Sequence, residues 1–290
     1  MPNLHARDSG KEYVGTLLVL TDERAQSRVE IAPQRGAIVT SFQVRGRELL
    51  YLEADTLLDA SKNVRGGIPV LFPAPGRLRG DVFTRDGKTG SMKQHGFARN
   101  MPWTPSTTAD ASRAEVALTL TADERTRALY PWDFSTTLTF SLHGARLSIQ
   151  HRVHNTGEVT LPFALGYHPY FVVTDKRSAD VETAATRAYD NVTKTLVPFS
   201  GFDLTLPEVD LYLLDHGSST SALQLGDRTR IEVVGSAAFT RFVVWTVAGK
   251  DYVCLEPWTA ALDALNTGEG LTLLPPGAVC EGQVDIAWVE

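Results

Sequence analysis

Along much of this chain an apolar side chain recurs at every second residue. Val116, Leu118 and Leu120 alternate with polar or small residues, and so do Phe134, Thr136, Leu138, Phe140 and Leu142. Leu147, Ile149, His151 and Val153 continue the pattern. This spacing sends one face of a strand into a core and the other towards solvent or a second sheet. Further β-rich runs are Ala37 to Val44, Leu211 to Leu214, Thr229 to Val234, Phe242 to Ala248, Tyr252 to Leu255 and Val284 to Val289. Turn clusters such as Asp86-Gly87, Asn155-Thr156-Gly157 and Asn266-Thr267-Gly268 separate them. Only Ala122 to Leu129 reads as helix, and it stops just before Pro131. The pattern predicts an all-β fold, a large antiparallel β-sandwich with very little helix. No repeat, low-complexity tract or linker interrupts it. We therefore expect one domain over residues 1–290, a length that a single sandwich can use.

Composition narrows the function classes. Asp and Glu outnumber Lys and Arg, 34 against 28, for a formal charge of -6. A nucleic-acid partner usually needs the opposite sign, so that class is disfavoured. No apolar run approaches the roughly 18 residues of a membrane span. Leu17-Leu18-Val19-Leu20 is too short for the apolar part of a signal peptide, which predicts a cytoplasmic protein. Cys254 and Cys280 lie in apolar, strand-like contexts without C-x-x-C spacing and read as buried free thiols. Nothing in the sequence reports an oligomeric state.

Two stretches break the strand pattern, Asn63 to Asn100 and Leu255 to Gly277. Irregular segments that long in a compact domain are usually functional. Some motifs within reach are false leads. Gly87-Lys88-Thr89 lacks the first glycine of a phosphate-binding loop, since position 82 is Val82, and no helix follows. His151 and His154, three residues apart on a strand, face opposite ways, which predicts a half-buried His151 beside an exposed His154 and no metal pair. No other His, Cys or acidic cluster has ligand spacing, so no metal is expected. There is no G-x-S-x-G nucleophile elbow.

Three polar islands remain in aromatic or Pro-rich surroundings. Arg65-Gly66-Gly67-Ile68-Pro69-Val70-Leu71-Phe72-Pro73 leads to Gln94-His95-Gly96-Phe97-Ala98-Arg99; the second is Leu165-Gly166-Tyr167-His168-Pro169-Tyr170-Phe171; the third is Cys254-Leu255-Glu256-Pro257-Trp258. A lone His between aromatics is more often a hydrogen-bonded structural residue than a catalyst. A Glu ending an apolar strand is harder to dismiss, because carboxylates are seldom buried without purpose or partner. Two histidines, that Glu, an Arg and several aromatics suit acid–base chemistry on a polyhydroxylated ligand.

Together with Tyr130-Pro131-Trp132-Asp133-Phe134, these segments stand in the order found in the aldose 1-epimerases (mutarotases). The chain resembles that family over nearly its whole length. The resemblance implies a galactose-mutarotase-like β-sandwich and interconversion of the α and β anomers of an aldohexose. It makes Glu256 the base that takes the C1 hydroxyl proton and His168 the acid that protonates the ring oxygen. His95 would hydrogen-bond the sugar near the reacting oxygens, and Arg65 would grip a hydroxyl or help polarise the ring. It implies no cofactor and a small-molecule aldose as substrate, with no nucleic-acid or membrane partner. An acidic residue between His168 and Glu256 should bind sugar hydroxyls. Asp210 fits best, with Asp203 and Asp215 close enough in sequence to compete. Arg99 is a further substrate-binding candidate, and Phe72, Trp258 and Trp245 could offer an apolar face to the ring.

Two alternatives stay open. Arg65, Arg77, Arg79, Lys93 and Arg99 crowd one loop region, and arginine suits phosphate oxygens, so the substrate could be a hexose 6-phosphate. A silent sugar-binding or regulatory module on the same fold is the other. Retention of His95, His168 and Glu256 together argues against that module, since a binder needs no matched acid and base.

Overall fold

The structure is a computed structural model and describes residues 2–106 and 114–289. The alternating segments pair as expected. Phe134–His143 and Arg146–Asn155 form the centre of an eight-stranded sheet, with Glu115–Thr121 on one side and Val279–Val289 on the other. Inward residues such as Phe134, Leu138, Phe140, Leu147 and Ile149 are almost fully buried, while their neighbours along each strand are partly or fully exposed. A second eight-stranded sheet is built round Glu208–Leu213, Arg241–Val247 and Tyr252–Trp258, also antiparallel. A five-stranded meander, from Pro2–Asp8 to Arg47–Glu48, packs against the first sheet through Thr16–Asp22. One cluster of buried apolar side chains, from Leu20 to Ile286, draws on all three sheets. The described residues hold three short α-helices, one of them Glu124–Leu129. Asp123 caps it by accepting from the Thr126 amide, and the Asp123 amide donates to the Thr126 hydroxyl oxygen.

Some expectations need correction. Asn63 to Asn100 is not wholly irregular: Val82–Arg85 and Lys88–Ser91 form a hairpin turning at Asp86-Gly87, which disposes of the phosphate-loop reading. His151 is 1% exposed, not half-buried, because its strand lies inside the sheet with its inner face covered. Its ring packs edge-on against Phe239, and neither nitrogen has a hydrogen-bond partner. His154, on the outer face, is partly exposed. Cys254 is buried, but Cys280 is only partly so; both are free thiols. No helix among the described residues is long and apolar enough to cross a membrane.

The second sheet positions the polar islands. Its strand Tyr252–Trp258 is buried on both faces. Val253 and Leu255 point into the main core, which leaves Tyr252, Cys254, Glu256 and Trp258 on the opposite face.

Candidate active site

Strand register assembles the floor of the site. Glu256 lies opposite Val243, which pairs with Tyr212, which pairs with Tyr189. One step along, Tyr170 lies opposite Cys254, then Trp245, then Asp210. Paired residues share a sheet face. The result is a polar-aromatic floor drawn from segments far apart in sequence. The two loop-rich stretches supply the walls, the first through Arg65, Arg77, Lys93, His95 and Arg99 and the second through Asp263, whose amide donates to the Arg77 carbonyl. They enclose a cavity of about 980 Å³, large enough for a sugar and its substituents.

Glycine geometry explains the local motifs. Gly66 has φ 127°, and a Cβ there would stand 2.3 Å from the Tyr51 carbonyl oxygen, so the strand can pass only without a side chain. That passage delivers Arg65 to the cavity edge, with its guanidinium 5.7 Å from the centre of the Trp245 ring. Gly96, at φ 69°, sits against the Phe72 carbonyl, where a Cβ would approach to 2.1 Å. The turn it permits aims His95 inward.

At the centre, His168 Nε2 lies 3.3 Å from Glu256 Oε1. The other carboxylate oxygen, Oε2, accepts from Trp258 Nε1 at 3.1 Å, which fixes the carboxyl plane. The His168 ring stacks on Tyr170, with centroids 4.6 Å apart and planes 8° apart. His95 meets it edge-on at 5.3 Å. His95 Nδ1 donates to the Pro75 carbonyl at 2.5 Å. A carbonyl can only accept, so in the neutral ring Nε2 keeps its lone pair for a ligand hydroxyl.

Burial sets the charge states. It pushes the Glu256 carboxyl well above the usual carboxylate range, with Asp210 adding to the rise and the Trp258 donor opposing it. Burial holds His168 well below the usual imidazole range, reinforced by His95 and Arg99. Burial likewise lowers His95 to about 3, aided by Arg99. In the unliganded site the low-dielectric wall therefore favours a neutral acid beside a neutral imidazole. The pair titrates as a unit, and a proton can pass directly between the two atoms.

The remaining predicted residues divide. Asp210 lines the cavity, and its Oδ2 accepts from Asn191 Nδ2 at 2.6 Å. Asp203 and Asp215 do not line it: Asp203 is bonded to Thr205, and Asp215 to Thr186 and Arg187. Arg99 lines the cavity while donating to the Gln94 carbonyl; burial lowers it to about 10. Trp258 and Trp245 both line it. Phe72 does not. Its side chain is fully buried among Phe97, Phe134 and Phe163, because it points from its strand into the core.

Sequence reasoning missed Asn191 and Lys194. Lys194 Nζ donates to Asn191 Oδ1, and Asn191 in turn holds Asp210. A turn joining Arg187–Asp190 to Thr195–Pro198 carries them, and no periodicity or motif marks such residues. Reasoning by spacing also missed that Cys254, His168 and Glu256 bring ligand-type atoms within 4.8 Å of one another.

The family model for aldose 1-epimerase matches residues 17–287. A relative in Cenchrus ciliaris, named "Putative glucose-6-phosphate 1-epimerase", is 28% identical over 241 residues, which are 80% of this chain and 68% of the relative. One of the same name in Escherichia coli K12 is 31% identical over 162 residues, 54% of this chain; the match spans half of that relative's length. Among solved structures, a protein of Synechocystis sp. PCC 6803 whose name states no activity is 34% identical, with a TM-score of 0.90 over 99% of this chain and 96% of that one. Galactose 1-epimerase from Lactobacillus acidophilus NCFM, 14% identical, shares the fold at a TM-score of 0.77 over 100% and 99% of the two chains.

Proposed function

The chain belongs to the aldose 1-epimerase family, and we propose that it interconverts the α and β anomers of an aldohexose through Glu256 and His168. The contact between Glu256 Oε1 and His168 Nε2, 3.3 Å long at the base of a polar cavity, carries this reading. Ring opening needs a proton removed from the C1 hydroxyl and another delivered to the ring oxygen, which are bonded to the same carbon. An acceptor and a donor a few ångströms apart fit that demand.

One proton serves both groups. Passed from Glu256 to His168, it leaves a carboxylate to accept the C1 proton and an imidazolium to protonate the ring oxygen. Rotation about C1–C2 exposes the other face of the carbonyl, and closure reverses both transfers. The His95 lone pair receives a sugar hydroxyl, and Asp210, steadied by Asn191, receives others. Arg65 and Arg99 stabilise negative charge developing on oxygen. Trp245 and Trp258 face the C–H side of the ring. The chemistry needs no cofactor, and the free thiols suit a cytoplasmic setting.

A specific observation supports a second reading, a hexose 6-phosphate as substrate. Arg77, Arg79, Lys93 and Lys194 lie round the mouth of the cavity, beyond the acid–base pair. Relatives named for glucose 6-phosphate agree with it.

The test is anomer exchange, followed by NMR or by loss of optical rotation, over free and phosphorylated aldoses. Glu256→Gln keeps shape and sugar binding but removes the base. The expected loss is about 10²–10⁴-fold in rate. Near-normal exchange by a folded Gln variant would move the base elsewhere.

A further inference from the structure

We propose that His168, Cys254 and Glu256 form a site for a thiophilic divalent cation of the zinc–cadmium class, and that its occupation switches the enzyme off. The site itself is independent of the anomer-exchange reading; only the switching rests on it.

The sheet builds the ligand set. Cys254 and Glu256 are two residues apart on one strand, so both side chains leave the same face. His168 reaches them from the neighbouring segment, where Tyr170 pairs with Cys254. Nitrogen, sulfur and oxygen donors thus converge, all within 4.8 Å of one another. A tetrahedral zinc with bonds of about 2.0–2.3 Å has edges of about 3.3–3.6 Å. The 3.3 Å between His168 Nε2 and Glu256 Oε1 is already such an edge. Closing the sulfur edges takes on the order of 1 Å, within reach of cysteine's single χ1 torsion. The Trp258 donor holds Oε2 and so leaves Oε1 free, the kind of outer support that orients metal ligands. His168 Nδ1 has no hydrogen-bond partner, so no hydrogen bond from that nitrogen opposes a small turn of the ring.

Charge and hardness select the ion. A thiolate and a carboxylate cancel a double positive charge, so the occupied cluster is neutral, which a buried wall tolerates. Binding releases two protons to solvent, one from the Cys254 thiol and one from the Glu256 carboxyl. A sulfur ligand favours zinc or cadmium over magnesium or calcium. His168 and Glu256 line the cavity while Cys254 stands behind them, so the fourth position opens towards it. A bound ion would occupy both catalytic lone pairs, and sugar could not react while it stayed.

The experiment uses tag-free protein with Cys280→Ser, so that Cys254 is its only thiol. Titration with Cd²⁺ should raise a thiolate-to-cadmium charge-transfer band that saturates at one equivalent and is bleached by Zn²⁺. Zn²⁺ should inhibit anomer exchange in competition with sugar, and Mg²⁺ should not. Cys254→Ala, with Cys254→Ser as a second variant, should turn over sugar within about twofold of the parent. Either should lose metal sensitivity by tenfold or more, since loss of a mere supporting partner costs about 10–100-fold. A missing band, or undiminished Zn²⁺ inhibition in both variants, would overturn the proposal. The band is read whether or not sugar is turned over, so failure of the epimerase reading is seen separately.

Discussion

At the residue scale, the grouping of Glu256, His168 and His95 was legible because its members sit in unusual company. A Glu ending an apolar run and two histidines among aromatics each cost something to bury, and such residues stand out in a sequence. Phe72 shows where that reasoning stops: an aromatic in a Pro-rich run looks the same whether it faces a cavity or a core. Trp258 shows a contact that type alone does not reveal, through its indole N–H and not its ring face. It donates to the Glu256 carboxylate, and such a donor favours the charged form. Trp258→Phe keeps the ring and removes the donor. The shared proton then sits more firmly on the carboxyl, so less of the pair reaches the carboxylate–imidazolium form, and the alkaline limb of kcat/KM, where the pair loses that proton, should move upward. A hydrogen bond to a charged group contributes about 1.5–3 kcal/mol, which predicts a fall in rate of roughly 10–100-fold. If Trp258 only packs against sugar, KM rises and the limb stays where it was. A pH profile of the parent and the variant distinguishes the two outcomes.

At the element scale, period two recovered the strands that have one wet face. It did less well where both faces are covered. Tyr252 to Leu255 was read as ending before Pro257, yet the strand runs on to Trp258, with Pro257 paired to Phe242. The short hairpin within Asn63 to Asn100 carries too few apolar residues to show a period. His151 belongs here, because its burial depends on what lies over its strand. With no partner for either nitrogen, burial lowers its pKa to about 4. The unfolded chain takes up a proton there below about 6.5, while the folded one resists until about 4. Stability should therefore fall as pH drops through that window, at about 1.4 kcal/mol per pH unit for this group. His151→Leu removes that share, on the order of 2–3 kcal/mol by pH 4.5. Thermal unfolding measured from pH 7 to 4.5 should show a shallower decline in the variant. Any packing offset at pH 7 cancels from the slope. An unchanged slope would mean that His151 takes up its proton in the folded state as readily as in the unfolded one.

For the whole molecule, charge is unevenly placed. The chain carries -6 overall, yet Arg65, Arg77, Arg79, Lys93, Arg99 and Lys194 all border one cavity. Arg77 and Arg79 are 68% and 88% exposed, and their nearest carboxylates, on Asp81 and Asp263, stand 3.6 and 3.9 Å away. Contacts so long and so wet are weak, which leaves both guanidinium groups available to an anion. If they hold a phosphate, each charge-assisted hydrogen bond contributes about 1.5–3 kcal/mol, and two amount to roughly a hundredfold preference or more. The quantity to measure is the ratio of kcat/KM for glucose 6-phosphate to that for glucose. On the phosphate reading it is large at low salt, shrinks as added salt screens the exposed arginines, and collapses in the Arg77→Ala/Arg79→Ala double variant. Turnover of glucose itself should hardly change, since neither arginine meets the acid–base pair. On the free-sugar reading the ratio stays near one and ignores both salt and the double variant. The two cannot be told apart from the sequence, because the same arginines that suit a phosphate also suit a loop bordering an acidic protein's polar cavity.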